Sequence, residues 1–256
     1  MESIILNMSG AQLDEGLDSA LEGSKVVDLS ALEGTNCYCS AEAAGAIREA
    51  VAPLPVRAVH WIDTGDYHYL SRFWLEKAAA QAEHFALVLF DRHPDMQEPA
   101  LGGDVLSCGG WARDAFTGIE GLTQVLALGI NPDLEIEMLD LVFDGVLAAT
   151  EDDFRHTADG LGQDVLEMIS LLDSGIPVYF SIDKDCLTRD FARTDWDQGS
   201  MRLAQMEAAI SLIASSHPVL GVDVCGGITR AKGAKDEDFE VNLATDKRLA
   251  AILSNI

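Results

Sequence analysis

The chain has 256 residues, 48% of them hydrophobic, enough to bury one large α/β core, and a single domain over residues 1–256 is expected. Its 43 Asp and Glu outnumber 17 Lys and Arg, for a formal charge of −26 at pH 7. That balance repels phosphate backbones and anionic membranes, which excludes nucleic acid and membrane surfaces as expected partners, and it attracts a small cationic substrate.

In chain order, Met1 to Gly16 carries Glu2, Asp14 and Glu15 and has no basic segment followed by a long apolar stretch, so it does not read as a secretory signal. No run approaches the length of a membrane span. Short apolar runs rich in β-branched residues recur at Ile4–Leu6, Val26–Leu29, Val56–Ile62, Phe85–Phe90, Val125–Leu128, Val142–Leu147, Val178–Ile182 and Val219–Val224. Each reads as a fully buried parallel strand. Helical periods lie between them: Ala41–Val51 behind a capping Ser40, the stripe Leu161, Val165, Met168, Ile169 and Leu172 before Asp173-Ser174-Gly175, then Met201 to Ile213, and Leu249 to Ile256. The alternation predicts a doubly wound parallel sheet with helices on both faces and ligands beyond the C-terminal strand ends. The segments 91–111 and 188–200 read as long functional loops.

Five cysteines, Cys37, Cys39, Cys108, Cys186 and Cys225, are odd in number and scattered, which points to a reducing compartment, the cytoplasm, rather than a disulfide framework. Cys37-Tyr38-Cys39 is too tight for a C-x₂-C zinc knuckle and has no second pair. No G-x-G-x-x-G or Walker A sequence follows a strand, and no G-x-S-x-G elbow is present.

The chemistry concentrates where apolar runs end. Asp91-Arg92-His93-Pro94-Asp95 follows Phe90, Ser181-Ile182-Asp183-Lys184-Asp185 closes the run from Val178, and Gly65-Asp66-Tyr67-His68 follows Ile62. Alternate residues of an extended chain share a side, so Asp91, His93 and Asp95 can converge while Arg92 and Pro94 point away, and Asp183 and Asp185 repeat the pattern. Histidine with several carboxylates is a donor set for Mn²⁺ and related divalent ions. His60, His84, His156 and His217 have no such partners and read as structural.

Taken in order, Gly65-Asp66-Tyr67-His68, Asp91 to Asp95 and Ser181 to Asp185 resemble the G-G-D-H, D-A-H-x-D and S-x-D-x-D motifs of the arginase, agmatinase and formiminoglutamase family, the ureohydrolases, over about residues 56–227. The resemblance implies two Mn²⁺ per chain, with Asp91 and Asp183 bridging, His68 and Asp95 on one ion, and His93 and Asp185 on the other. It implies a hydroxide held between the ions that attacks a guanidinium or related C=N carbon. It also implies a closed homo-oligomer.

Departures from the family pattern bear on the substrate. Where the family has a His-Gly thought to shuttle protons, this chain has Cys108-Gly109; where it has a glutamate gripping the guanidinium, Gly226 follows the matching Asp223. Thr188-Arg189 stands in place of a D-P. Asp91, Asp183, Cys108 and Asp223 are therefore the expected catalytic residues, with Trp111 and Arg113 as a pocket wall and Asp66, Asp104 and Asp223 as grips for a cationic group. Cys108 and Cys225 otherwise read as small buried apolar residues. The expected activity is hydrolysis of a linear C–N bond in a small guanidino, amidino or formimino compound other than arginine. The alternatives are an amide or acetyl-amine hydrolase on the same fold and a catalytically idle metal-binding relative.

Overall fold

The computed structural model describes residues 1–99, 105–141, 144–155 and 160–256. Its strands are β1 (Ser3–Asn7), β2 (Lys25–Asp28), β3 (Tyr38–Cys39), β4 (Val59–Trp61), β5 (Phe85–Phe90), β6 (Leu106–Ser107), β7 (Leu122–Ile130), β8 (Val146–Thr150), β9 (Val178–Asp183) and β10 (Val219–Cys225). Eight of them form one sheet in the order β2-β1-β4-β10-β9-β5-β7-β8, parallel at every pairing. Each of the eight apolar runs singled out in the sequence contributes one of these strands; Val142 lies outside the described residues.

The central strands are apolar at consecutive positions because both their faces are covered. Along β5, Ala86, Val88 and Phe90 join the apolar cluster on one face, while Leu87 and Leu89 join the cluster on the other. Helices Ala41–Val51, Ser71–Ala79 and Trp111–Gly118 cover the Leu87 face; Gln163–Ser170, Leu203–Ala214 and Asp236–Leu253 cover the Val88 face. Each fully buried Leu or Phe in these layers contributes about 1.5–3 kcal/mol.

Three expectations need correction. β2 is not fully buried: it is an edge strand with no further strand beside it among the described residues, and Val26 is 42% exposed. β8, the opposite edge, is likewise only partly buried. The last helix begins at Asp236, well before Leu249, since its first turns carry too many charges to show an apolar stripe. Ser40 caps its helix as expected, accepting from the amide of Ala43 at 3.2 Å.

β4, β10, β9 and β5 are consecutive neighbours in the middle of the sheet. Every candidate ligand lies on one of these strands or just beyond its C-terminal end, so the residues meet although they are up to 117 positions apart in the chain, His68 to Asp185.

Candidate metal centre

Beyond Phe90 the chain leaves β5 and turns back on itself, with the Asp91 carboxylate accepting from the amide of His93 at 2.7 Å and Asp95 in the left-handed region at φ 51°. Asp91, His93 and Asp95 consequently line one cavity, while Arg92 turns away to pair with Glu151 at 3.1 Å. At the end of β9, Oδ1 of Asp183 accepts from the amide of Asp185 at 2.9 Å, which holds both carboxylates at the strand exit. Lys184 between them is fully buried and points the other way, 2.7 Å from Asp246.

His68 comes from the 3₁₀ helix Gly65–Leu70 that follows β4. That helix packs so closely on β9 that a Cβ at Gly65 would lie 3.0 Å from Asp183 Oδ2 and 2.9 Å from Trp196, so only glycine fits without displacement. Nδ1 of His68 lies 3.1 Å from Asp91, 3.0 Å from Asp95 and 3.7 Å from Asp183. Its Nε2 is 2.9 Å from Ser181 Oγ, whose own proton goes to Asp223 at 2.6 Å; Ser71 also donates to Asp223, at 3.0 Å. The Trp111 ring stands 4.8 Å from the His68 ring, and its Nε1 donates to Asp95 at 2.6 Å. On the other side, His93 Nδ1 is 2.9 Å from Asp185 and 3.4 Å from Asp91.

Donor atoms gather in three groups: His68 with Asp91 and Asp95, Asp91 with His93 and Asp185, and His68 with Asp183 and Cys225. Asp91 belongs to two of them. Four buried carboxylates thus face two imidazoles, and no lysine or arginine lines the cavity among the described residues. Burial and the charge of Asp91 push Asp95 up to about 7, and burial with neighbouring carboxylates raises Asp183 and, further, Asp185. Burial opposes a charged imidazole at His68 and His93, yet hydrogen bonds to Asp91 and Asp95 push His68 well above the histidine range, and those to Asp185 and Asp91 push His93 up to about 12. This is a site short of positive charge, and oxygen and nitrogen donors arranged around a shared carboxylate fit a pair of divalent cations.

The cavity is about 250 Å³ and is walled by Cys37, Tyr38, Gln97, Ser107, Cys108 and Trp196 besides the candidate ligands. Cys108 reaches it from the small antiparallel pair β3–β6. Burial and the charge of Asp95 push its thiol up, so it is a poor proton shuttle at neutral pH.

Other expected grips and walls fall elsewhere. Asp223 is fully buried and lines no part of the cavity, its Oδ1 accepting from both Ser71 and Ser181. Asp66 already accepts from Asn36 at 2.8 Å and from Trp196 at 3.0 Å, so it is not a free grip. Arg113 pairs with Asp140, away from the cavity, and Trp111 stands behind His68 rather than at the wall. Asp104 and His156 lie outside the described residues. Tyr38, Gln97 and Trp196 went unnoticed in the sequence, since they reach the site from loops and a two-residue strand without periodicity.

The profile of the Arginase family matches residues 3–226. The chain belongs to the arginase family. It is thereby a member of a family of metal-dependent hydrolases of C–N bonds. No curated protein sequence matches it. Among solved structures it is similar to proclavaminate amidino hydrolase from Streptomyces clavuligerus, at 15% identity and a TM-score of 0.72, over 98% of this chain and 90% of that one. Formimidoylglutamase from Bacillus subtilis subsp. subtilis str. 168 gives 15% identity and 0.70 over 98% and 85%, and arginase from Bacillus caldovelox 15% and 0.64 over 97% and 98%. Likeness at this identity concerns the fold. No helix among the described residues is long and apolar enough to cross a membrane.

Proposed function

We propose that this arginase-family chain hydrolyses a linear C–N bond in a small guanidino, amidino or formimino compound, using two divalent cations, manganese by resemblance. His68, Asp91, His93, Asp95, Asp183 and Asp185 are the proposed ligands. The observation that carries this reading is the convergence of these four carboxylates and two imidazoles, from three separate segments, on one cavity at the C-terminal edge of the sheet.

When bound, the cations supply a water activated as a nucleophile at neutral pH and charge stabilisation of the adduct. The protein's own residues prepare that chemistry. Asp91, shared by two donor groups, sets the spacing of the centre, and the Ser181–Asp223 contact orients His68 so that Nδ1 faces the carboxylates. Tyr38 and Trp196 bound a volume suited to a small molecule and wall it with aromatic faces that attract a cationic or planar group. The described lining offers no lysine or arginine to pair with an anionic group.

A second reading, hydrolysis of an amide or acetyl-amine, is favoured by Gly226, which leaves no carboxylate where the resemblance implies a guanidinium grip. The deciding experiment measures urea, ammonia, formamide and amine release by metal-loaded protein over a panel of guanidino, ureido, formimino and acetyl-amine compounds, with Asp183→Ala as control. Urea, ammonia or formamide released by wild type and lost in the variant supports the first reading; free amine from acetylated compounds alone supports the second. A metal-loaded protein with no turnover on any compound would leave a non-catalytic relative.

We also infer a cytoplasmic homo-oligomer. Five free thiols support a reducing compartment, and Ile136 and Leu139, exposed by 72% and 60%, support an apolar contact with a second copy.

A further inference from the structure

We propose that Cys225 is a sulfur ligand at the His68 side of the centre, making that position prefer a thiophilic divalent cation such as Zn²⁺ or Co²⁺ over Mn²⁺. This rests on the reading of the site as a metal centre. Cys225 ends β10 and pairs in register with Asp183 at the end of β9. In a parallel ladder, register partners stand side by side on the same face, so the thiol is delivered to the carboxylate by the sheet itself. Sγ lies 3.1 Å from Asp183 Oδ2, and His68 Nδ1 lies 3.7 Å from that same oxygen. The three donor atoms fall within 4.8 Å of one another, and all three residues are buried.

The backbone beyond Cys225 holds this approach. Gly226 has φ 89°, and a Cβ there would come within 2.5 Å of Asp183 Oδ1 and 2.7 Å of the Lys184 amide nitrogen. The end of β10 is thus pressed onto the carboxylate. Cys186, equally buried, turns its Sγ to the backbone carbonyl of Asp183, and Cys108 lines the cavity; neither belongs to a donor group among the described residues.

Imidazole, carboxylate and thiolate together form a zinc-type donor set, softer than one of imidazole and carboxylate alone. The proton on Sγ, directed at Asp183 Oδ2, is released to solvent as the metal–sulfur bond forms, with no change of oxidation state.

The test loads metal-free full-length protein with Co²⁺ and measures bound cobalt by elemental analysis together with the near-ultraviolet spectrum. A sulfur-to-cobalt charge-transfer band is expected in wild type and in Cys108→Ser, and it is expected to vanish in Cys225→Ser while cobalt stays bound. In competition between Zn²⁺ and Mn²⁺, Cys225→Ser is expected to lower the zinc-to-manganese ratio bound. Should that variant not fold, the ¹¹³Cd resonance of wild type, shifted downfield by a sulfur ligand, reads the same bond. Full cobalt occupancy without the band, or a band that survives in Cys225→Ser, overturns the proposal and leaves the metal centre standing. Folded wild type that takes up no cobalt, zinc or manganese overturns both.

Discussion

Ser181 fixes which ring nitrogen His68 presents to the cavity. Because the Ser181 hydroxyl gives its proton to Asp223 at 2.6 Å, its oxygen receives the Nε2 proton of His68 at 2.9 Å, and Nδ1 is left facing Asp91 and Asp95. Removing such an outer partner of a metal-binding histidine typically weakens metal affinity by roughly 10–100-fold. Ser181→Ala is expected to do the same in a calorimetric metal titration, with the fold intact by circular dichroism. An unchanged affinity would show that the contact is only packing.

Divalent cations should stabilise the protein, because they bind the crowded carboxylates of the native state alone. At 100 times the dissociation constant the gain is about 2.7 kcal/mol, visible as a rise in Tm that a chelator reverses. In Asp183→Ala the rise should largely disappear. A wild-type Tm indifferent to both metal and chelator would sink the metal-centre reading.

Restoring the glutamate that the resemblance implies at position 226 should fail. Gly226 sits at φ 89° with no room for a Cβ beside Asp183, so Gly226→Glu displaces a carboxylate of the centre. We expect weaker metal binding and no gain of arginine hydrolysis; urea released from arginine by this variant would refute the geometry.

The fully buried Lys184–Asp246 pair, at 2.7 Å, anchors the segment that carries Asp183 and Asp185. Lys184→Met leaves Asp246 as an unpaired buried charge and is expected to cost about 3–5 kcal/mol. Adding Asp246→Leu should recover most of that loss in denaturant titrations. A single variant as stable as wild type would mean that the pair is not strained by the loss of its cation.

Stability should fall on acidification partly through His60. Its ring stacks on Trp74 at 3.6 Å, and Nε2 donates to the carbonyl of Pro55 at 3.0 Å. Burial holds its pKa down at about 3, against 6.5 for the ordinary group. The folded state favours neutral imidazole, so this contribution is complete above pH 6.5 and declines as the pH falls toward about 3, by up to about 1.4 kcal/mol per unit. The stability difference between wild type and His60→Gln should therefore shrink between pH 7 and pH 5. A constant difference across that range would contradict it.

Much of the site was legible in the chain because its residues sit at strand ends, and fully buried parallel strands announce themselves as unbroken apolar runs. Phe85–Phe90 and Val178–Ile182 needed no tertiary information to be recognised, and the carboxylates follow them directly. Trp196 and Tyr38 were not legible, since a loop and a two-residue strand carry no period. Asp223 was noticed but misassigned: its place in the chain matches a substrate grip, while its burial beneath Ser181 depends on the register of β10 against β9.

By itself, then, the sequence determined the parallel α/β architecture and singled out six candidate donor residues, because hydrophobic period and motif spacing are local properties. Only the tertiary structure decided that Asp223 supports His68 from below, that Gly226 leaves no space for a side chain, and that Cys225 stands beside Asp183. Those relationships arise where β4, β9 and β10 lie side by side, and the pairing of distant strands leaves no mark on neighbouring positions in the chain.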